Sequence, residues 1–450
     1  MINGKFVRRN LIDYHLLLPN QIAKYANPNA IKIKKTFYPT LTFTDAFDTP
    51  MDWFGYANVR GEEGKNFQSL EYSDAKGNNY TVDDAEQQVL ESYSLMSENY
   101  DAPMVAEDGG EWSIGYAHGA EVNMRNPEFT DIKGFSDWEF YPWLSFVYRS
   151  VYNFCGVGYQ GRYNYDRYNT KLLWTDDYRS TMLLTGHNTA GYDSYDGVDW
   201  PDLFIKRHYH FYDFAKETAG DEMVKVEFFD NNIHHQIVSY QDGTKVYVNR
   251  GKGVWKVNGH LLGQYGFLFE NEDNLIGYYA LIDGNKIDYS KSFRGEYLDS
   301  YGKVITVNNI TTHGAAVRVD NYKRFSNDAT SNDSIHITRV IDRKGNITYD
   351  VKGKNGIAYC CKLPFDIVPN KEKVYVDDLR IGDNIIFTLQ PFSGDLTITI
   401  ENGDFHIEPE KIYTIKDNGL VRKVKSTTEK KLKTIIEGKN ISHKISISKE

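Results

Sequence analysis

Cysteine is scarce in this chain of 450 residues, which has only three, and that scarcity excludes a fold stapled by disulfides. Cys155 stands alone while Cys360 and Cys361 are adjacent, a spacing that offers neither a disulfide framework nor a Cys-rich zinc site. They read as small hydrophobes. Long apolar runs are missing too: nothing approaches the roughly 18 consecutive apolar residues of a membrane-spanning helix. The opening Met1-Ile-Asn-Gly-Lys-Phe-Val-Arg-Arg-Asn10 carries charge without the apolar core of a secretory signal, so the expectation is a cytoplasmic protein if that start is the natural one. Positive charge is also short, with 52 Lys and Arg against 62 Asp and Glu, for a net charge of −10. An acidic chain repels phosphate backbones, so a nucleic-acid partner is not expected.

Aromatic residues are plentiful, at 34 Tyr, 24 Phe and 7 Trp. Tyrosine fills strand positions in β-rich proteins, and Tyr and Trp also match the apolar face and hydroxyl rim of a sugar. Composition leaves both explanations open. The length suffices for two or three domains with substantial cores.

Residues 1–225 alternate short apolar runs with helical patterns, as in an α/β layer architecture. The strand candidates are Tyr14–Leu18, Leu41–Thr44, Met104–Ala106, Leu144–Tyr148 and Thr181–Thr185. Between the second and third, Val82, Ala85, Val89, Tyr93 and Met96 recur at helical spacing, with Thr81 and Asp84 placed as a capping box. A second helix is expected from about Trp200 to Ala219, opened by Pro201 and stopped by Gly220. Beyond Val224 the texture turns to period-2 runs such as Val246–Asn249, Tyr278–Ile282, Ile335–Ile341, Ile385–Leu389 and Leu396–Ile400, divided by Gly-containing turns. That half is expected to be all-β. The lysine-rich end reads as a solvated face or a mobile tail.

Two acids close short apolar runs: Asp45 ends Leu41-Thr-Phe-Thr-Asp45, and Glu107 ends Pro103-Met-Val-Ala-Glu107. Strand-end acids often serve as helix caps. The C-terminal ends of parallel barrel strands also carry chemistry, and glycosidic hydrolysis needs two carboxyl groups across one pocket. Gly109 and Gly110 permit close backbone approach to a ligand, and Trp112 offers a surface for a sugar ring.

The runs Ile12-Asp-Tyr-His-Leu-Leu-Leu-Pro19, Leu41-Thr-Phe-Thr-Asp45-Ala-Phe47 and Met104-Val-Ala-Glu107-Asp-Gly-Gly-Glu-Trp112 together resemble the central barrel of glycoside hydrolases related to the endo-α-N-acetylgalactosaminidases. The resemblance continues through Pro142-Trp-Leu144, Thr181-Met-Leu-Leu-Thr-Gly186-His187 and Val238-Ser-Tyr-Gln-Asp-Gly-Thr-Lys-Val-Tyr-Val-Asn249 to Tyr265-Gly-Phe-Leu268. It implies Asp45 as nucleophile and Glu107 as general acid/base of a retaining mechanism, which requires no cofactor. Trp53, Asp108, Trp112 and His187 are the candidate substrate-binding residues, and no metal is expected. His187 either bonds a substrate hydroxyl or is a loop histidine satisfied by backbone, and Asp108 either acts on Glu107 as a like charge or is solvated.

Only 44 residues precede Asp45, whereas an eight-stranded barrel occupies roughly 250. The first barrel strands are therefore supplied by a second polypeptide, or lost by truncation, or dispensed with in a reduced α/β layer. The Gly156–Gly161 pattern does not open a convincing helix, His208, His210, His234 and His235 lack ligand spacing, and Asp193, Asp196 and Asp199 form a polar loop.

The expected architecture is α/β plus all-β: a partial (β/α) TIM-type barrel over 1–225, a β-sandwich over 226–300, a second β-domain over 301–420 and a lysine-rich segment over 421–450. The expected function is hydrolysis of an oligosaccharide or glycan. The alternative is a non-catalytic carbohydrate-binding or assembly protein derived from a glycosidase fold.

Overall fold

In the computed structural model of the chain, the described residues are 19–44, 72–73, 76–107, 113–121, 142–155, 176–186, 201–321, 327–363, 366–369, 373–401 and 407–449. Two compact units emerge, one from Met1–Tyr192 with Gly220–Asp242 and the other from Asp193–Ala219 with Gly243–Glu450.

The first unit holds helices Pro19–Phe37 and Val82–Tyr100, packed on each other, and a sheet of four parallel strands: Thr42–Thr44, Met104–Glu107, Gly119–Glu121 and Asn153–Cys155, in that order. The second helix starts as its sequence dictates. Thr81 Oγ1 accepts from the Asp84 N–H at 3.2 Å, and the Asp84 carboxylate accepts from the Thr81 N–H at 2.8 Å, so two otherwise unpaired donors are satisfied reciprocally. The helix ends at Asp101, whose left-handed backbone (φ 55°) sends its N–H back to the Ser97 and Glu98 carbonyls.

Two expected strands are helices instead. Leu144–Tyr148 lies in helix Trp143–Tyr148, and Thr181–Thr185 lies in helix Asp176–Thr185. A short apolar run cannot declare its period, and residues 179–186 are buried on every side, which erases the polar face that marks an amphipathic helix. Asp176 and Asp177 in the first turn were the overlooked sign of a helix start. The strand expected at Tyr14–Leu18 lies outside the described residues. Among the described residues no ring of barrel helices is present around the parallel sheet.

The second unit is predominantly β, as the alternating half of the sequence requires. One sheet runs Ala329–Thr330, Ile357–Cys361, Ala316–Asp320, Gly295–Asp299, Asn285–Ser292, Ile276–Ile282, Phe267–Glu270, Lys245–Asn249. It continues across residue 300, because Ala316–Asp320 pairs antiparallel with Gly295–Asp299. A nine-stranded sheet and a three-stranded sheet face each other across a core that includes Val376, Phe387, Leu396, Ile398, Ile415 and Ile447, a sandwich arrangement.

The lysine-rich end belongs to this sandwich and is not a tail. Leu420–Lys425, Lys431–Lys439 and His443–Lys449 are strands, with Leu432, Ile436, Ile445 and Ile447 fully buried. The charge count concealed a period of two, in which one face is aliphatic and the other carries the lysines.

Helix Pro201–Glu217 covers the first sheet of this unit, close to the span expected from its Pro and Gly signals. Its inward face has an unusual centre. Lys206, His210, Asp213 and Glu217 fall on one stripe, and each meets a residue of the complementary type, three of them on strands and Arg294 in the turn between two strands. Lys206 Nζ lies 3.2 Å from Asp299, His210 Nδ1 lies 3.6 Å from Asp288, Arg318 donates to Asp213 at 3.1 Å, and Arg294 pairs with Glu217. Aromatic contacts flank the stripe, including Phe214 on Phe269 and Tyr209 on Tyr359.

Candidate active site at the parallel-sheet edge

Strand Met104–Glu107 forms because its alternate residues have a layer to enter. Met104 and Ala106 are fully buried in a cluster with Val89, Leu90, Tyr93 and Met96 of the capped helix. Position 107 belongs to the other alternation, with Val105, which is half-buried. The strand start is fastened as well: the Thr42 N–H donates to Pro103 O at 2.9 Å, the His118 N–H to Met104 O at 2.8 Å, and the Met104 N–H to His118 Nδ1 at 3.3 Å.

Register then decides what stands at the C-terminal edge. Thr44, the residue before Asp45, is level with Ala106, the residue before Glu107. On the other side Glu107 is level with Glu121, and Glu121 with Cys155. Neighbouring strands lie about 4.8 Å apart, so the backbone delivers glutamates 107 and 121 side by side to one edge. Gly119 makes this spacing possible, because a Cβ there would stand 2.5 Å from the Asn153 carbonyl oxygen.

The chain between these glutamates is anchored on its return. Ser113 Oγ and Tyr152 OH share a buried hydrogen bond of 2.6 Å, tying the residue after Trp112 to the core beneath the edge. Burial pushes the Tyr152 phenol up to about 12, with the Ser113 hydrogen bond acting against it, so the hydroxyl stays neutral at ordinary pH. The Ser113–Tyr116 turn, closed by the Tyr116 N–H to Ser113 O at 3.1 Å, leads on to Gly119.

The expected site residues are therefore distributed as follows. Glu107 is the last residue of its strand. Asp45, Trp53, Asp108, Trp112 and His187 lie outside the described residues. His187 follows Gly186, the left-handed end (φ 64°) of helix Asp176–Thr185, whose carbonyl accepts from Arg149 Nε at 3.1 Å. Arg149 also donates to Asp221 O at 3.0 Å, so one guanidinium ties two separate backbone segments. Glu121 was missed by sequence reasoning. Its signal was the repeated dipeptide: Ala106-Glu107 and Ala120-Glu121 stand at the same two levels of adjacent strands.

Of the histidines weighed as ligands, His210 is buried against Asp288, with Nε2 3.2 Å from Tyr289 O. Among the described residues, no group of three or more His, Cys, Asp or Glu is arranged to hold a metal ion. No described helix is long and apolar enough to cross a membrane. No protein-family model matches the chain, and no curated protein matches it.

Proposed function

We propose that the chain is a glycoside hydrolase, with its parallel sheet part of a (β/α)-barrel-type catalytic domain and its chemistry at that sheet's C-terminal edge. The supporting observation is the register: the strands ending before Asp45 and at Glu107 are parallel neighbours, and their last paired residues are level. Among the described residues the order of its four strands follows sequence order without a reversal, as in a barrel and unlike a doubly wound sheet with its switch point.

In the proposed reaction Asp45 attacks the anomeric carbon while Glu107 gives its proton to the departing glycosidic oxygen. Glu107 then takes a proton from water, whose oxygen displaces Asp45 and releases the sugar. Glu121, level with Glu107, is the second candidate for the partner carboxylate, since retaining pairs stand about 5–5.5 Å apart and adjacent strands about 4.8 Å.

The test is turnover of a panel of aryl α- and β-glycosides by wild type, Asp45→Asn, Glu107→Gln and Glu121→Gln. Loss of about 10²–10⁴-fold in kcat is expected for Glu107→Gln, with a comparable loss in whichever of the other two removes the nucleophile. Wild-type rates in all three variants sink the site. A wild type inert on every glycoside leaves the carbohydrate-binding alternative.

A further inference from the structure

One tyrosine beside the polar stripe of helix Pro201–Glu217 is held in a conformation that costs energy. The turn Ser300-Tyr301-Gly302-Lys303 leads from strand Gly295–Asp299 to strand Val304–Val307 of the nine-stranded sheet. Two bonds close it: the Lys303 N–H donates to Ser300 O at 3.2 Å, and Ser300 Oγ donates to Lys303 O at 2.6 Å. Tyr301 and Gly302 are both left-handed, at φ 52° and 83°. Glycine adopts that backbone freely, whereas a tyrosine is strained in it. Strain of this kind persists only where the surroundings enforce it.

Two buried carboxylates enforce it. The Tyr301 N–H donates to Asp299 Oδ1 at 2.9 Å, and the Tyr301 hydroxyl donates to Asp288 Oδ2 at 2.7 Å. The two acids are level on adjacent antiparallel strands and buried, which sets their Cβ atoms about 4.5–5.5 Å apart, where like charges destabilise a sheet. Helix Pro201–Glu217 faces them with Lys206 on Asp299 and His210 near Asp288. Strand Ile276–Ile282 places Tyr279 level with Asp288, and Lys286 lies over the Tyr279 ring. On strand Ala316–Asp320, Arg318 is held by Asp213, and Asp320 is at the far end, level with Gly295. Tyr301 itself is half exposed, so it covers the pair on the side that meets water.

We propose that Tyr301 is a pH-gated latch on this pair, closed while Asp299 is protonated and released when Asp299 ionises beside Asp288. Closing the latch takes both acids out of water. Burial, with the neighbouring Asp288 charge, holds the Asp299 carboxyl above the ordinary carboxylate range, against the pull of Lys206 and of the Tyr301 N–H. An arrangement that raises the pKa of an acid is favoured by its protonation, so rising pH favours the open, hydrated turn. Opening also frees Tyr301 from the left-handed region. Strain and carboxylate repulsion therefore push the same way, and the two Tyr301 hydrogen bonds hold against them.

The experiment is hydrogen–deuterium exchange of the full chain from about pH 4 to about pH 8, corrected for the intrinsic effect of pH on exchange and read at residues 300–303. The turn at Asn258-Gly259, left-handed at φ 45° and 86°, is the reference within the same molecule. Circular dichroism confirms that each variant is folded. In wild type, protection of 300–303 is expected to fall several-fold as pH rises, while the reference turn keeps its protection. Asp299→Asn, which cannot ionise, is expected to show no such fall. Tyr301→Phe keeps the ring but loses the bond to Asp288, and is expected to exchange about tenfold faster at the acid end, the loss of one hydrogen bond to a charged group. Protection that rises with pH, a fall shared by the reference turn, a fall that survives Asp299→Asn and so belongs to His210 or another group, or Tyr301→Phe exchanging as wild type overturns the inference.

Discussion

Two helices of similar length lie on sheets in this protein, and they are seated by different means. Val82–Tyr100 rests on an apolar layer in which Val89, Leu90, Tyr93 and Met96 meet Met104 and Ala106. Pro201–Glu217 adds to its aromatic contacts, Phe211 on Phe267 and Phe214 on Phe269, a stripe of charged and imidazole groups, the middle of it sealed from water: Asp213 is 0% exposed and Arg318 1%. An apolar seat draws its stability from area removed from water and tolerates small shifts. A polar seat draws little net stability from its pairs, because desolvation offsets attraction, but it penalises any arrangement that leaves a charge alone. The charge order also runs against the helix dipole, with Lys206 toward the N-terminus and Glu217 at the C-terminus. Tertiary partners, and not the helix itself, select those residues.

This contrast is open to attack at both helices. Arg318→Met strands the Asp213 carboxylate in the interior and is expected to cost about 3–5 kcal/mol in urea-induced unfolding. A loss under 1 kcal/mol in that experiment would mean that the pair is hydrated and the seat not truly polar. In the apolar seat, Met104→Ala removes a fully buried side chain and is expected to cost about 2–5 kcal/mol. Its effect should be the same at low and high salt, since no charge is involved.

The smallest effect is a pH dependence confined to the polar seat. Burial, with the nearby Asp288 charge, raises the Asp299 carboxyl above the ordinary carboxylate range despite the opposing pull of Lys206. A raised folded-state pKa stabilises the fold fully below the unfolded value, and that contribution is lost as pH rises through the folded value. The stability of wild type relative to Asp299→Asn is therefore expected to fall as pH increases from about 4 and to level off above the raised pKa. Thermal melts of both proteins across that range check it, and a difference that rises with pH would contradict the sign.

The first helical seat was legible in the sequence and the second was not, for a physical reason. Thr81, Asp84 and the 3–4-residue spacing of Val82, Val89, Tyr93 and Met96 are local signals, so start and inward face could be read together. For Pro201–Glu217 the ends were legible through Pro201 and Gly220. The inward face was not, because a polar stripe counts as solvent-facing until residues about 80–105 positions away, Asp288 and Arg318, are found against it.

The candidate site divides in the same way. Glu107 was legible as an acid closing an apolar run, and the parallel neighbour before it as Leu41–Thr44. Glu121 was not, since the three residues Gly119–Glu121 are too short to show a period. Only pairing with Met104–Glu107 gives that glutamate a place.

By itself the sequence determined where the chain turns from mixed α/β to β, how helix Val82–Tyr100 is capped, and that Glu107 ends its strand, because propensity, capping and alternation act over a few residues. Tertiary structure decided register, and through it that Ala106-Glu107 and Ala120-Glu121 stand abreast. It also decided that the lysine-rich end is a folded face and that two expected strands are helices. Those outcomes depend on what packs against each segment, and a short run carries no record of its neighbours.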